Sequence, residues 1–303
     1  MKLLSLIFIL LLSSFVLESK THENNTQTDA TLKSLKLTLE KNSLNVDENI
    51  TLKVIASYQD NTTKDITKQV EWILSDTNVV EISQNSLYAK KDINIFIQAK
   101  LGTVSSNTLA LEIYKEINGH RLPPEPDPTI NNATLLGIDS NNNGVRDDVE
   151  RWIYTTYNTY IPCVNKEINV TLDNGTTIKA YEEVCEDKPV PYHQIVREIA
   201  MQGARASQII IQEPEKARET THLMDAAQEC NAYFQYSSDT QNQAVSINHD
   251  IISSKDFTAI QFNTVQRARA YAKYNFALSG GVYPSSKDKK SECDFNVDKL
   301  LVK

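Results

Sequence analysis

The sequence predicts a multidomain chain in which an all-β sandwich is followed by a mainly α-helical domain carrying one β-hairpin. Three observations predict it. Between residues 34 and 115, short runs alternate apolar with polar residues and are separated by Asn- and Asp-rich turns. From residue 147 onward apolar residues recur at helical spacing, broken once by two alternating runs that flank Asn174-Gly175. Between the two regions stands Pro123-Pro124-Glu125-Pro126-Asp127-Pro128, which cannot enter a sheet ladder.

A chain of 303 residues has room for two cores. Residues 1–20 read as a secretory signal, with Lys2 as the charged start, an apolar run from Leu3 to Leu12 and a Ser-rich end. That run is short for a bilayer span, so no stable membrane insertion is expected after cleavage. Residues 21–33 are polar and form a tether. The expected location is the periplasm, or the cell surface and beyond. A net charge of −8 argues against nucleic acid or anionic lipid as a partner. The four cysteines suit disulfides in an exported chain, and without a CxxC or Cys/His cluster they give no zinc or haem site.

In residues 34–115 the runs Leu35-Leu37-Leu39, Leu52-Val54-Ala56, Val70-Trp72-Leu74, Ile93-Ile95-Ile97 and Leu109-Leu111-Ile113 each place apolar residues at period two. Turns such as Asp60-Asn61 and Asp76-Thr77-Asn78 separate them, so they read as half-buried antiparallel strands with Trp72 at the centre of the core. Leu44 to Leu52, Asp65 to Trp72, Ser75 to Val80 and Gly102 to Asn107 resemble, in order, the group 2 bacterial immunoglobulin-like domains of intimin- and invasin-type surface proteins. The resemblance implies an Ig-like sandwich that acts as a spacer or adhesive module without catalytic residues. It departs from the family pattern at Lys90-Lys91-Asp92, which stand where a glycine-rich turn is usual.

Residues 116–134 read as a semi-rigid, proline-rich linker. It delivers the chain to Asp139-Ser140-Asn141-Asn142-Asn143-Gly144-Val145-Arg146-Asp147-Asp148-Val149-Glu150, the one stretch where residue type and spacing dictate a definite chemistry. Asp139, Asn141 and Asn143 supply side-chain oxygens at loop positions one, three and five, and Gly144 allows the sharp turn. The Val145 carbonyl, the Asp147 carboxylate and a bidentate Glu150 complete an oxygen shell for calcium. An Asx-rich helix cap would use many of the same letters, but it requires neither Gly144 nor Glu150. The twelve residues resemble the calcium loops of EF-hands, dockerins and thrombospondin type 3 repeats. A single loop with neutral Asn at two positions implies a structural ion held at about 10⁻⁴ to 10⁻³ M, and a calcium sensor would need a paired loop.

In residues 135–303, Val149, Trp152, Ile153 and Tyr157 give the helix after the loop an apolar face. Asn174-Gly175 marks a hairpin turn, and Cys163 and Cys185 lie symmetrically about Asn174, so they pair and leave Cys230 with Cys293. Helices follow with stripes Ile195, Ile199, Gly203, Ala206, Ile210 and Ala217, Thr220, Leu223, Ala227, Cys230, Phe234. A third is read from Phe257, Ile260, Val265, Ala268, Ala272 and Phe276 to Gly280-Gly281. Residues 237–252 are ambiguous.

Outside the loop, His222 with Glu219 and Asp225 three residues to either side is the one cluster suited to acid–base or metal chemistry, against a solvated helix face. Tyr271, Tyr274 and Tyr283 read as core or as a ligand surface. Arg205, Arg267 and Arg269 read as scattered surface residues or an anion site. The function expected is a non-enzymatic binding or adhesion-type module with structural calcium and a protein or glycan partner. The alternative is an exported hydrolase or carbohydrate-active enzyme with its site in the helical domain.

Overall fold

The computed structural model describes residues 31–236 and 250–301. The signal segment, nearly all of the tether and most of the ambiguous stretch after Tyr236 lie outside the described residues. An N-terminal β-sandwich-like region is followed by a helical region, and no helix among the described residues is long and apolar enough to cross a membrane.

One sheet of the sandwich is ordered β1 (Leu32–Leu39), β3 (Asn49–Tyr58), β7 (Ser86–Ala89), β6 (Val80–Ser83), with β4 (Thr63–Asp65) also on β3. The other is ordered β2 (Ser43–Asn45), β10 (Leu109–Tyr114), β8 (Ile95–Leu101), β5 (Glu71–Leu74), with β9 (Val104–Ser105) on β8. All pairings are antiparallel except β2 with β10. Period two explains the core: along β3, Ile50, Leu52, Val54 and Ala56 turn inward while their neighbours face out. They meet Ile95, Ile97 and Ala99 of β8 and Leu111 and Ile113 of β10.

Trp72 is not at the centre of this core. It is only partly buried and packs at the rim, because β5 ends its sheet and has a neighbour on one side only. The central positions go to Leu37, Leu52 and Leu87 instead, each at most 1 % exposed. Ile93, expected in a strand, is exposed just before β8 begins at Ile95.

Residues 116–134 are folded against the helical region. Glu116–Ile117 (β11) pairs with His120–Arg121 (β12) across Asn118-Gly119, and Ile117 and Leu122 bury in the helical core. Asp127 then caps a short helix, α1 (Pro128–Ala133), by accepting from the N–H groups of Thr129 and Ile130.

The helical region contains α2 (Asp147–Thr156), α3 (Gln194–Ile210), α4 (Ala217–Tyr236), α5 (Lys255–Gln261), α6 (Val265–Leu278) and α7 (Val297–Leu301). Val149 and Ile153 of α2 meet Ile195, Ile199 and Ala200 of α3, with Ala227, Cys230 and Phe234 of α4 completing the cluster. At Gly203 an added Cβ would lie 2.4 Å from Ile252 Cδ1, so the missing side chain lets the segment before α5 approach α3. The expected third helix is two helices. Thr264 accepts from the Arg267 N–H and starts α6 afresh, which shifts the phase of its buried face. Val265 and Phe276 are consequently exposed, and Arg267, Ala270 and Tyr274 face inward.

Two short strands, β13 (Thr159–Tyr160) and β16 (Val190–Pro191), form the base of a long hairpin, β14 (Cys163–Thr171) with β15 (Thr177–Cys185). Its register sets Cys163 opposite Cys185, and the two are bonded. Cys230 is bonded to Cys293, which ties the tail carrying α7 to α4.

Gly137 turns the chain from α1 toward the loop of residues 139–150 at a φ of 70°, and an added Cβ would lie 2.3 Å from Arg146 Cδ and 2.6 Å from Asn131 Oδ1. Gly175 also has positive φ, but its Cβ direction is open. Gly137→Ala is therefore expected to lower the unfolding free energy by about 2–4 kcal/mol, against about 1 kcal/mol for Gly175→Ala. Chemical denaturation of the two variants checks this, and equal losses would contradict the crowding.

Candidate metal centre

The loop of residues 139–150 is shaped by its own Asx side chains. Asp139 accepts from the Asn143 N–H at 3.2 Å and from the Gly144 N–H at 2.9 Å, and Asn143 Oδ1 accepts from the Val145 N–H at 2.9 Å. Asn142 and Gly144 take φ values of 55° and 82°, which fold the backbone around these acceptors. Val145 then drops into the helical core, and α2 begins at Asp147.

Two acids of the loop are buried. Asp147 is 1 % exposed, and its Oδ1 accepts from the Ser140 N–H at 2.9 Å. Burial lifts its carboxyl above the ordinary carboxylate range, with Asp139 and Glu150 adding to the effect. Glu150 is fully buried, yet its carboxyl lies below the usual range. Burial alone would raise it, but hydrogen bonds from His120, Asn141 and Asn143 outweigh that. Asn141 Nδ2 and Asn143 Nδ2 donate to Oε2 at 3.0 and 2.7 Å, and His120 Nε2 donates to Oε1 at 2.6 Å.

The structure thus brings Asn141, Asn143 and Glu150 into direct contact and holds Asp139 through backbone amides beside them. The carboxylates of Asp139, Asp147 and Glu150 do not converge on one point. Among the described residues the one trio of His, Cys, Asp or Glu with all ligand atoms within 4.8 Å of each other is Cys163, Glu183 and Cys185. Its two sulfurs are joined to each other, so no thiolate is left for a metal.

His120 is the residue that sequence reasoning missed. It lies 30 positions from Glu150, on β12, and its ring stacks on Tyr154 one turn further along α2, with centroids 3.8 Å apart. A lone histidine beside a glycine gives no periodic signal, and only the fold places it here. The next residue of α2 extends the junction: Arg151 pairs with Asp92 of the sandwich and with Glu125 at 2.6 Å, and donates to the Pro123 carbonyl at 2.9 Å.

Behind the loop sit two buried guanidinium groups. Arg146 pairs with Asp148 at 2.5 Å and donates to the carbonyls of Ile260 and Gln261. Arg267 is a buried framework residue and not a surface arginine. It donates to the carbonyls of Asn131, Thr134 and Leu135 and to the side chains of Asn132 and Asn263. Burial, with Arg146 adding like-charge repulsion, pushes its pKa down to about 10. Arg205 pairs with Asp294 at 2.6 Å while its stem packs over Gly144, and Arg269 lines an open cleft with Lys273 and Glu215. The three arginines form no common anion site.

The other nominated cluster does not assemble. His222 and Glu219 are exposed, with His222 Nδ1 set 2.9 Å from the Glu219 carbonyl, and Asp225 turns to Thr221 instead. No protein-family model and no curated protein matches the chain.

The electrostatics of Asp147 give a signed prediction. Because its folded carboxyl holds the proton more tightly than the ordinary value near 3.8, this group makes stability fall as pH rises through the raised folded value. Asp147→Asn keeps the acceptor for Ser140 and removes the charge. In chelator the variant is expected to be the more stable protein at pH 7, with the difference shrinking as the pH is lowered toward about 4. Urea titrations across that range check it, and a variant less stable than wild type at pH 7 would contradict it.

Proposed function

We propose that the chain is an exported, non-enzymatic binding or adhesion-type protein in which an Ig-like module carries a disulfide-stapled helical domain, and calcium in the 139–150 loop stiffens the junction between them. Support for the Ig-like reading comes from strand order. Lettering β1, β3, β5, β6, β7, β8 and β10 as A to G gives sheets ABED and CFG, the arrangement of a seven-stranded Ig sandwich. The resemblance to the group 2 bacterial Ig-like domains covers the same residues. Two disulfides and a signal-like N-terminus support export, with a protein or glycan outside the cytoplasm as partner.

The single observation that carries the calcium reading is the position of Glu150. It is the final ligand of the pattern, is buried among Asn141 and Asn143, and shares its carboxylate with His120 of the connector. Calcium would take both Glu150 oxygens, and a half-turn of the two Asn amides would exchange their N–H groups for carbonyl oxygens. Asp139, Asp147 directly or through water, and the Val145 carbonyl complete an all-oxygen shell of the kind a hard cation prefers. An ion bound there fixes the first turn of α2, and Arg151, the residue that follows that turn, is paired with Asp92. His222 and Glu219 are exposed on the helix surface and Asp225 is hydrogen-bonded to Thr221, which favours this reading over a hydrolase built on those three groups.

Thermal and chemical unfolding with calcium or chelator tests the reading. At about 100 times its dissociation constant, calcium is expected to add about 2.7 kcal/mol to the stability of the native chain. Glu150→Ala is expected to abolish that increment. Arg151→Ala is expected to keep it while letting the sandwich and the helical region melt as separate calorimetric transitions. A native chain whose stability ignores calcium would refute the structural ion.

A further inference from the structure

Residues that the sequence singles out separately meet in one cleft. Asp225 of α4, Tyr271 and Tyr274 of α6, and Tyr283 beyond it line a cavity of about 310 Å³, large enough for a small molecule. Asp225 is the only charged side chain among the described lining residues. Its Oδ2 accepts from Thr221 Oγ1 at 3.2 Å, and none of the ion pairs among the described residues involves it. Glu229, one turn along α4, is by contrast held by Lys289 and Ser285. Burial makes the charge of this carboxylate costly and exposed His222 offsets that only in part, so a ligand that brings a cation into the cleft relieves the cost.

The walls favour the same chemistry. Phe262 stacks on Tyr271 with centroids 4.0 Å apart and planes 10° apart, and Tyr274 continues the ladder at 6.5 Å and 15°. The faces of such rings carry negative potential that attracts ammonium groups. Tyr283 donates its hydroxyl proton to the Leu278 carbonyl, which leaves its oxygen as an acceptor. With no Lys, Arg or His among the described lining residues, an anionic ligand finds no partner in them, and a single acid lacks the second carboxylate of a glycosidase.

We propose that this cleft binds a small organic cation, its ammonium head against Asp225 and its apolar body along the Phe262, Tyr271 and Tyr274 rings. The site is separate from the calcium-type loop and does not rest on it. A neutral sugar would also stack on the rings, but it would leave the carboxylate without a counter-charge, so charge is the property to vary.

The test uses the full chain with isotope-labelled tyrosine rings, titrated with benzylamine and choline to about 10 mM. Benzyl alcohol and the tert-butyl carbon analogue of choline serve as neutral controls. At least one cation is expected to shift the Tyr271 and Tyr274 ring signals in a saturable way, while its neutral counterpart does not. Asp225→Asn, which keeps the acceptor for Thr221, is expected to weaken that binding at least about tenfold, whereas exposed Glu219→Gln leaves it unchanged. The proposal is overturned if both cations leave the rings unmoved, if the neutral controls bind as well, or if Asp225→Asn binds like the native chain. The first two comparisons are made on the native chain and do not depend on the folding of a variant.

Discussion

One buried carboxylate organises the junction of this protein. Glu150 has no exposure, so each of its oxygens must be met by a donor from the protein, and the donors come from two directions. The loop sends the amides of Asn141 and Asn143, and the connector sends His120. A single side chain thereby joins a local turn to a strand pair 30 residues earlier. Removing the carboxylate would take the acceptor from Asn141, Asn143 and His120 at once, and of these donors Asn143 and His120 are half-buried and Asn141 is exposed.

The support behind Glu150 is also polar, and it is unusually dependent on arginine. Arg146 and Arg267 are both fully buried and donate to backbone carbonyls at the ends of α1 and α5. Short segments such as these have little apolar surface of their own. Guanidinium groups satisfy their exposed carbonyls and pin them in place, which a hydrophobic side chain cannot do. The close approach at Gly137 belongs to the same arrangement, since the backbone there passes beside both arginines. The 116–134 segment consequently behaves as part of the helical region, with Pro123 and Pro126 buried, and the sandwich is held through Asp92 and Arg151.

What was legible in the sequence follows from the range of the interactions. Alternation at Leu52-Val54-Ala56 and the symmetric placement of Cys163 and Cys185 about Asn174 are local, and they mark strands and a hairpin directly. The loop residues were legible because a tight turn with oxygen donors restricts residue type at each position. His120, Asp92 and the burial of Arg267 were not, because their partners lie 30, 59 and more than 130 residues away. Trp72 misled because burial depends on the strand's place in its sheet, which size and hydrophobicity do not encode. The break before α6 was hidden because Thr264 caps a helix within an otherwise continuous apolar pattern. Tyr271 and Asp225 were each visible as letters, but their meeting in one cleft needed the packing of α4 against α6.

A structural role for the loop requires that an ion displace the present partners of Glu150. Long-wavelength anomalous diffraction from crystals grown in about 10 mM calcium measures that directly. The expected result is an anomalous peak about 2.3–2.6 Å from both Glu150 carboxylate oxygens and from the side-chain oxygens of Asp139, Asn141 and Asn143. The contradicting result is no peak in the loop, with His120 and the two Asn amides still bonded to Glu150.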